Sequence, residues 1–528
     1  MKRCILLLLL AGCSKPTDTP QGISFTEVET SIAPTVCGSA DPTQIIEVNG
    51  TGLALLDYDN DSDLDLFVVN ASNESCRLYE NVSTTSIAFK DVTEDVGIDI
   101  RGWGTGVAVG DANGDGFDDL YITRHGSNVL LINNKGTSFS DQTLRSGIGD
   151  SGWGTSARFG DLDGDGDLDL YVCNYLEFDP KNPPPRATYK GQRVLGGPHG
   201  MTPQSNIVYE NMGDGTFNDV TEAWGFSNSP AFSLNVAILD FTGDGLQDVF
   251  VGNDSMANSL FVNTGETPTR FENKGIQTGI AANGDGSMQA TMGIGIADVN
   301  GNQRPDVFTT NFSSDTNTLH TNDESGFFDD RTKRFGLGLA SRTLLGWTCG
   351  FHDFDLDGDE DLFIVNGHVY PEATMATIDS PRKQPVLLYE RVGDRFVQRL
   401  QENTYRDRAA VFGDLDTDGD IDVIVAERHG AVRVLQNNAN ITDPFYVKLQ
   451  GTTGNPKAIG ATMRITFQDG SVVTRWLTDG SGFQSSSTPL QYVLPKGKTI
   501  IKIDIVWPNG EKQVVTEIPN EGLLTIGQ

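Results

Sequence analysis

Aspartates recur in this chain at a spacing that suits a hard divalent cation. In the first string Asp57, Asp59, Asp61 and Asp65 stand at positions 1, 3, 5 and 9, and the register returns as Asp111, Asn113, Asp115 and Asp119, then as Asp161, Asp163, Asp165 and Asp169. Four more copies follow: Asp240, Thr242, Asp244 and Asp248; Asp298, Asn300, Asn302 and Asp306; Asp353, Asp355, Asp357 and Asp361; Asp414, Asp416, Asp418 and Asp422. Oxygen side chains on alternate residues, a glycine at position 6 and a carboxylate at position 9 make a tight loop whose oxygens converge, the chemistry of a shortened EF-hand loop for Ca2+. Acidic hairpin turns also form without metal, since Asp and Gly are favoured there. Turn preference does not account for seven copies at fixed internal spacing. Three or four carboxylates stacked in one turn without a cation repel one another by several kcal/mol on the order expected for close like charges. The expectation is up to seven structural Ca2+, the fifth site weakest because Asn300 and Asn302 are neutral and Gln303 replaces glycine.

The elements that hold these loops are strands and not helices. Gly52 to Leu56 precede the first loop and Leu66 to Val69 follow it, both apolar and β-prone. Each unit continues with a third strand ending in or near Asn, as in Leu78 to Asn81, Ile207 to Asn211 and Leu260 to Asn263. A fourth follows, as in Phe89 to Thr93 and Phe217 to Thr221. Loop starts lie 54, 50, 79, 58, 55 and 61 residues apart. Four short strands repeated at that period make a propeller blade, so the fold class is all-β, a seven-bladed β-propeller over residues 23–445. The seventh unit lacks an outer strand of its own, and Ile23 to Val28 match the missing pattern, which predicts closure of the ring by the N-terminal strand. Residues 446–528 alternate apolar and polar positions, as in Met463 to Phe467 and Ile501 to Ile505, and are expected to form a small antiparallel β domain.

Composition agrees with a globular protein. The chain has 528 residues, 72 Asp plus Glu against 38 Lys plus Arg, and a formal net charge of −34. A polyanion would be repelled, which argues against nucleic acid as a partner and against membrane binding through a basic patch. Yet 24 of the 72 acids sit at loop ligand positions. At the start, Lys2 and Arg3, an apolar run from Ile5 to Leu10, and Ala11-Gly12 before Cys13 have the form of a lipoprotein signal. The run is too short to span a bilayer, which takes about 20 residues. The expectation is a cleaved signal over residues 1–12, a lipid on Cys13, a tether over 13–22, and anchoring to the cell envelope, at a bacterial outer membrane or cell surface. Of the remaining cysteines, Cys37 and Cys76 lie in loop-like sequence and are the plausible disulfide pair, while Cys173 and Cys349 sit in apolar runs as buried thiols.

Further strings carry a family resemblance. They are Gly102-Trp103-Gly104-Thr105-Gly106, Met292-Gly293-Ile294-Gly295, Asn366-Gly367-His368-Val369-Tyr370-Pro371, Ile459-Gly460-Ala461, Gly480 to Ser485, and Val506-Trp507-Pro508-Asn509-Gly510. With the acidic loops, they resemble FG-GAP/VCBS repeats joined to a C-terminal ASPIC/UnbV domain, as in bacterial relatives of the cartilage acidic protein family. The resemblance implies an integrin-like propeller, Ca2+ binding and adhesion. Gly196-Gly197-Pro198 departs from the Cys-Gly-Pro of many relatives, which leaves Cys173 without that implied partner.

If the acidic loops join first and second strands, they share one rim, and the long stretches Tyr175 to Asn206 and Asn366 to Pro385 fall on the other. Long loops in a compact fold are often functional. Trp103, Trp153 and Trp347, six to eight residues before their Asp ligands, fall near the channel mouth. With His368 they form a candidate ligand face, although mutual packing at the mouth and a hydrogen-bonded loop histidine are the simpler readings. The chain has no His-Glu-x-x-His and no Gly-x-Ser-x-Gly, and its six histidines show no ligand spacing. The sequence therefore points to a lipid-anchored, calcium-binding propeller that binds a protein or glycan at the cell envelope. The alternative is a propeller enzyme, a polysaccharide lyase, hydrolase or cyclase, acting at the Trp-lined mouth.

Overall fold

The computed structural model describes residues 22–84, 86–227, 230–370, 380–399, 403–439, 444–480, 482–519 and 522–528. The signal at 1–12, Cys13 and the tether up to residue 21 lie outside the described residues, as do residues 371–379 of the second long stretch.

Alternation along each strand explains how seven small sheets pack, each inner strand serving a core on either side of it. In the first blade's inner strand Leu53–Leu56, Ala54 and Leu56 pack with Val107, Val109, Leu120 and Ile122 of the second blade. Leu53 and Leu55 point the other way, onto Ala409, Val411, Ile424 and Val434 of the seventh. Because successive side chains leave a strand on opposite faces, a strand sandwiched between two blades is buried at every position, and a polar side chain there, such as Arg158, needs a partner. The inner strands Gly104–Gly110, Gly154–Gly160 and Ser233–Leu239 are accordingly buried throughout.

Each blade is an antiparallel sheet running from inside outward. The second blade orders Gly104–Gly110, Asp119–Arg124, Val129–Asn133 and Phe139–Asp141. The seventh orders Asp407–Gly413, Asp422–Glu427 and Val432–Asn437, and takes its outer strand from the other end of the chain, Phe25–Val28. Phe25 pairs with Asn437 and Val28 with Val434, and the Phe25 ring packs edge-on against Phe354 at 5.4 Å and Phe363 at 6.0 Å.

The C-terminal domain has two sheets. One orders Val472–Trp476, Thr462–Phe467, Ile500–Val506 and Lys512–Val515, all antiparallel. In the other, Tyr446–Gln450 pairs antiparallel with Tyr492–Val493 but parallel with Leu523–Gly527, so this sheet is mixed where an antiparallel one was expected.

A segment of this domain fills the propeller's axis. Ser486–Ser487 adds to the inner edge of the first blade, parallel to Leu53–Leu56. Around it, Arg158 Nη2 donates to Gly482 O at 2.8 Å, Val107 N to Gln484 O at 3.2 Å, Gln484 N to Ser156 Oγ at 3.1 Å and Thr488 N to Leu55 O at 2.9 Å. Asp479 accepts from Phe159 N at 3.1 Å and lies 3.4 Å from Arg158 Nε, an ion pair buried on the channel wall. The Phe483 ring reaches Trp347 at 5.0 Å. These contacts pair the backbone polar groups of Gly482, Gln484 and Thr488 inside a channel that water would otherwise occupy.

The expected Cys37–Cys76 disulfide does not form. Both residues are buried free thiols: Cys37 Sγ donates to Glu47 O and Gly50 O at 3.7 and 3.8 Å, and Cys76 packs in the core between the first two blades. Cys173 and Cys349 are buried and free, as expected.

Gly52 shows why the axis needs glycine. A Cβ there would sit 1.9 Å from Gln484 O. Gly52→Ala is expected to push the inserted segment off the wall and destabilise the protein by about 1–3 kcal/mol, the usual cost of overpacking; denaturant unfolding measures it.

Candidate metal centres

Every acidic loop joins the first and second strands of its blade, and six of the seven turns close in one way, while in loop three Asp161 Oδ1 accepts from Gly164 N at 2.8 Å. The position 1 carboxylate accepts from the position 6 backbone N–H: Asp111 from Gly116 at 2.7 Å, Asp240 from Gly245 at 2.9 Å, Asp298 from Gln303 at 2.7 Å, Asp414 from Gly419 at 3.0 Å. Position 6 has a left-handed backbone even where it is not glycine, with φ 82° at Ser62 and 65° at Gln303. Closing the turn there outweighs the ordinary steric cost to a residue with a Cβ.

In loops one, three, six and seven the carboxylates converge. Oxygens of Asp57, Asp59 and Asp61; of Asp161, Asp163 and Asp169; of Asp353, Asp355 and Asp357; and of Asp414, Asp416 and Asp422 lie within 4.8 Å of one another in each group. Asp57 Oδ1 and Asp161 Oδ2 are buried and have no hydrogen-bond donor. An oxygen-only donor set with orphaned carboxylate oxygens at its centre fits a hard divalent cation. These are the four loops with four aspartates each. Asp111, Asn113, Asp115 and Asp119 keep the same turn with three acids, as do Asp240, Asp244 and Asp248 with Thr242. Loop five is the poorest: Asn302 Nδ2 donates to Asn322 O at 2.7 Å and Asn300 Nδ2 to Asp306 Oδ1 at 3.3 Å, so both amides are engaged within the protein.

Position 9 has a second task that the spacing alone does not show. The Oδ2 of Asp65, Asp119, Asp169, Asp248, Asp306, Asp361 and Asp422 accepts from the position 2 backbone N–H at 2.9–3.1 Å. The Oδ1 accepts from a backbone N–H of the third strand at 2.7–2.9 Å, at Asn81, Asn133, Asn211, Asn263, Asn322, Arg391 and Asn437. The side chain of that third-strand residue then crosses to the preceding blade. Asn133 Nδ2 donates to Tyr58 O, Asn211 to Ala112 O, Asn263 to Leu162 O, Asn322 to Phe241 O, Asn437 to Phe354 O and Asn81 to Leu415 O, all at 2.8–3.0 Å. In the sixth blade Arg391 replaces Asn and reaches Val299 O at 2.7 Å. The recurrent Asn at the end of the third strand was the sequence signal of this ring.

Burial makes these carboxylates costly without a cation. It raises Asp65 to about 8, with Asn81 and Tyr58 N–H pulling back, and raises Asp306 and Asp422 to about 8 and Asp361 to about 9. Asp161 is raised to about 7 by burial, reinforced by Asp163 and Asp165 and opposed by backbone donors.

The candidate ligand face differs from its expectation. Trp153 is 1% exposed and Trp347 3%. Trp153 packs against Tyr175 and Phe178 at 5.2 and 5.4 Å, and Trp347 is covered by Phe483 and by Arg408, 4.2 Å above its ring, with Nε1 donating to Gly367 O at 2.8 Å. Trp103 is half-buried and donates to Ile46 O at 3.2 Å. None of the three lines an open mouth, because the inserted segment and the loops above fill it. His368 is buried, its Nδ1 accepting from Tyr370 N at 3.3 Å. Its Nε2 therefore carries the proton and donates to Ser313 Oγ at 2.9 Å, and burial with Arg408 nearby pushes its pKa down to about 3. A ring that donates to a hydroxyl cannot withdraw its proton, so the pair is not an activated nucleophile. The rings that do reach the upper surface are Tyr189, Phe312 and Tyr370, half-exposed and 5.4–6.0 Å apart.

Blades with acidic turns between first and second strands define a class, the FG-GAP type of propeller. Residues 57–122, 111–172, 194–251 and 240–309 match the FG-GAP-like repeat, and residues 451–528 match the ASPIC and UnbV family. The chain belongs to the FG-GAP repeat propellers with a C-terminal ASPIC/UnbV domain. Cartilage acidic protein 1 of Xenopus tropicalis is 22% identical over 288 residues, 52% of this chain and 42% of that protein. The chain thus spans about two fifths of the length of the curated relative it matches. Among solved structures, an Agrocybe aegerita lectin that recognises non-reducing terminal N-acetylglucosamine aligns at TM-score 0.39 and 16% identity, over 72% of this chain and 86% of that chain. BBS1N in complex with ARL6DN aligns at TM-score 0.42 and 8% identity, over 76% and 98%. At these TM-scores neither likeness bears on ligand or activity.

Two measurements test the loops. Asn133→Ala leaves Tyr58 O unpaired between blades and is expected to cost about 1–3 kcal/mol in denaturant unfolding. Chelation is expected to lower Tm, because an ion held only by the folded loops stabilises them by mass action. The pH dependence follows from the sign of the shifts. With carboxylate pKa values raised from 3.8 to about 8, the ion-free folded state binds more protons than the unfolded chain between those limits, so its stability falls as pH rises through that window. With ion present the trend reverses, since protons compete for the ligands. Melting curves from pH 4 to 8, with and without chelator, check both signs; parallel curves count against the metal reading.

Proposed function

We propose that this protein is a calcium-loaded binding propeller, anchored to the cell envelope by a lipid on Cys13, that presents one face to a protein or glycan. One observation carries the reading: the C-terminal domain covers the acidic rim and fills the axis, which leaves the opposite face as the open surface. On that face the insertion from Tyr175 to Asn206 places Tyr189 beside Phe312 and Tyr370, and the ribbon Ala187–Tyr189 with Gln192–Val194 projects beside them. Half-exposed aromatic rings supply contact area at low entropic cost and suit a sugar face or an apolar side chain. The oxygen donor sets of loops one, three, six and seven support Ca2+, with the remaining loops weaker. The alternative of catalysis at a Trp-lined mouth loses its site, since that mouth is closed by Trp153, Trp347 and Phe483.

The test is a screen of the calcium-loaded protein on glycan arrays and against cell-envelope proteins. The double variant Tyr189→Ala with Tyr370→Ala is expected to weaken the bound ligand at least about tenfold, the equivalent of about 1.4 kcal/mol, with Tm unchanged. Undiminished binding by that variant sinks the assignment of the face. Labelling with a radioactive fatty acid, lost in Cys13→Ala, tests the anchor.

A further inference from the structure

The C-terminal domain rests directly on the acidic turns. Tyr446 Oη donates to Asp414 Oδ2 at 2.9 Å, at position 1 of loop seven. Thr452 Oγ1 donates to Gly166 O at 3.2 Å in loop three, and Lys496 N to Leu356 O at 2.9 Å in loop six. Position 8 is Leu64, Leu168, Pro305 and Ile421 in loops one, three, five and seven, but polar in the other three, and each polar one meets this domain. Asp118 faces Lys457 at 3.8 Å, Gln247 Nε2 donates to Gly460 O at 3.2 Å, and Glu360 pairs with Arg475 at 2.9 Å.

These contacts depend on the shape of the closed turn. Leu356 and Gly166 present their carbonyls from left-handed residues, φ 59° and 98°, a conformation the turn imposes on them. Asp414 Oδ2 takes both the Gly419 N–H and the Tyr446 hydroxyl, while its Oδ1 accepts from Asp418 N at 3.1 Å. Tyr446 thus fixes the orientation of a carboxylate that belongs to the converging group of loop seven. Partners of this kind set the aim and basicity of a metal ligand.

Resting on the calcium reading above, we propose that ion binding at the rim and docking of the C-terminal domain are one linked equilibrium, with Tyr446 as a positioning residue for the seventh site. An ion that closes the turns builds the docking platform. By reciprocity, the docked domain raises the affinity of those turns by the same factor. Because the inserted segment from Asp479 to Thr488 belongs to the domain, loss of the ions also loosens the filling of the axis.

The experiment uses the full chain in calcium and in chelator, with calorimetry for ion binding and hydrogen exchange for docking. Chelation is expected to speed exchange at Ser487 and Thr488 by about 5- to 150-fold, the range of ordinary couplings. Tyr446→Phe is expected to weaken one ion about 10- to 100-fold. Thr452→Val, at loop three, serves should the first variant fail to fold, and is expected to weaken one ion in the same direction. Calcium binding with unchanged exchange at these amides, or with unchanged affinity in the folded variants, overturns the linkage and leaves the calcium reading intact. Absence of calcium binding in calorimetry overturns both.

Discussion

Seven aspartates buried at the ends of the acidic loops govern the rest of the molecule. Each offers one oxygen to its own turn and the other to the third strand of its blade, and the residue clamped there reaches across to the preceding blade. Turn closure, sheet registry and blade-to-blade contact thus share one carboxylate. A charge 0–1% exposed with two neutral donors is poorly compensated, and raised pKa values record that. A cation among the neighbouring carboxylates would relieve that cost, which ties the proposed metal chemistry to the ring's cohesion.

The same rim determines how the second domain sits. A propeller with a strongly acidic face and an open axis would leave charges and inner-strand edges exposed. Here the ASPIC/UnbV domain meets the face with Lys457, Arg475 and Tyr446, and sends a glycine-rich segment into the axis, where Arg158 and Asp479 pair. Covering one face and sealing the channel leaves the other face open, where side chains from three separate stretches, Tyr189, Phe312 and Tyr370, come together.

Legibility in the sequence followed how local each interaction is. The loops were readable because all their oxygens fall within nine residues, and the four loops richest in Asp are those whose carboxylates converge. Loop five was readable as the weakest for the same reason: Asn300 and Asn302 bring amides that turn to protein acceptors. For the tryptophans the sequence left a ligand face open beside the simpler packing reading, because glycine-flanked indoles near a mouth look alike whether the mouth is open or filled. What fills it, Phe483, lies more than a hundred residues from Trp347 along the chain. Cys37 and Cys76 did mislead, since two cysteines in loop-like sequence carry no information about whether the fold brings them together, and both are buried free thiols.

The sequence by itself determined the number of blades, the oxygen chemistry of the turns and the β character of both domains. Each of these is written in short-range periodicity, which backbone geometry translates directly. Only the tertiary structure decided what closes the axis, how the second domain grips the acidic rim, which aromatic rings reach the surface and how Asn or Arg391 ties each blade to the one before it. Those contacts join residues up to several hundred positions apart. Their formation depends on the close approach of backbones, as at Gly52 and Gln484, which residue type permits but does not specify.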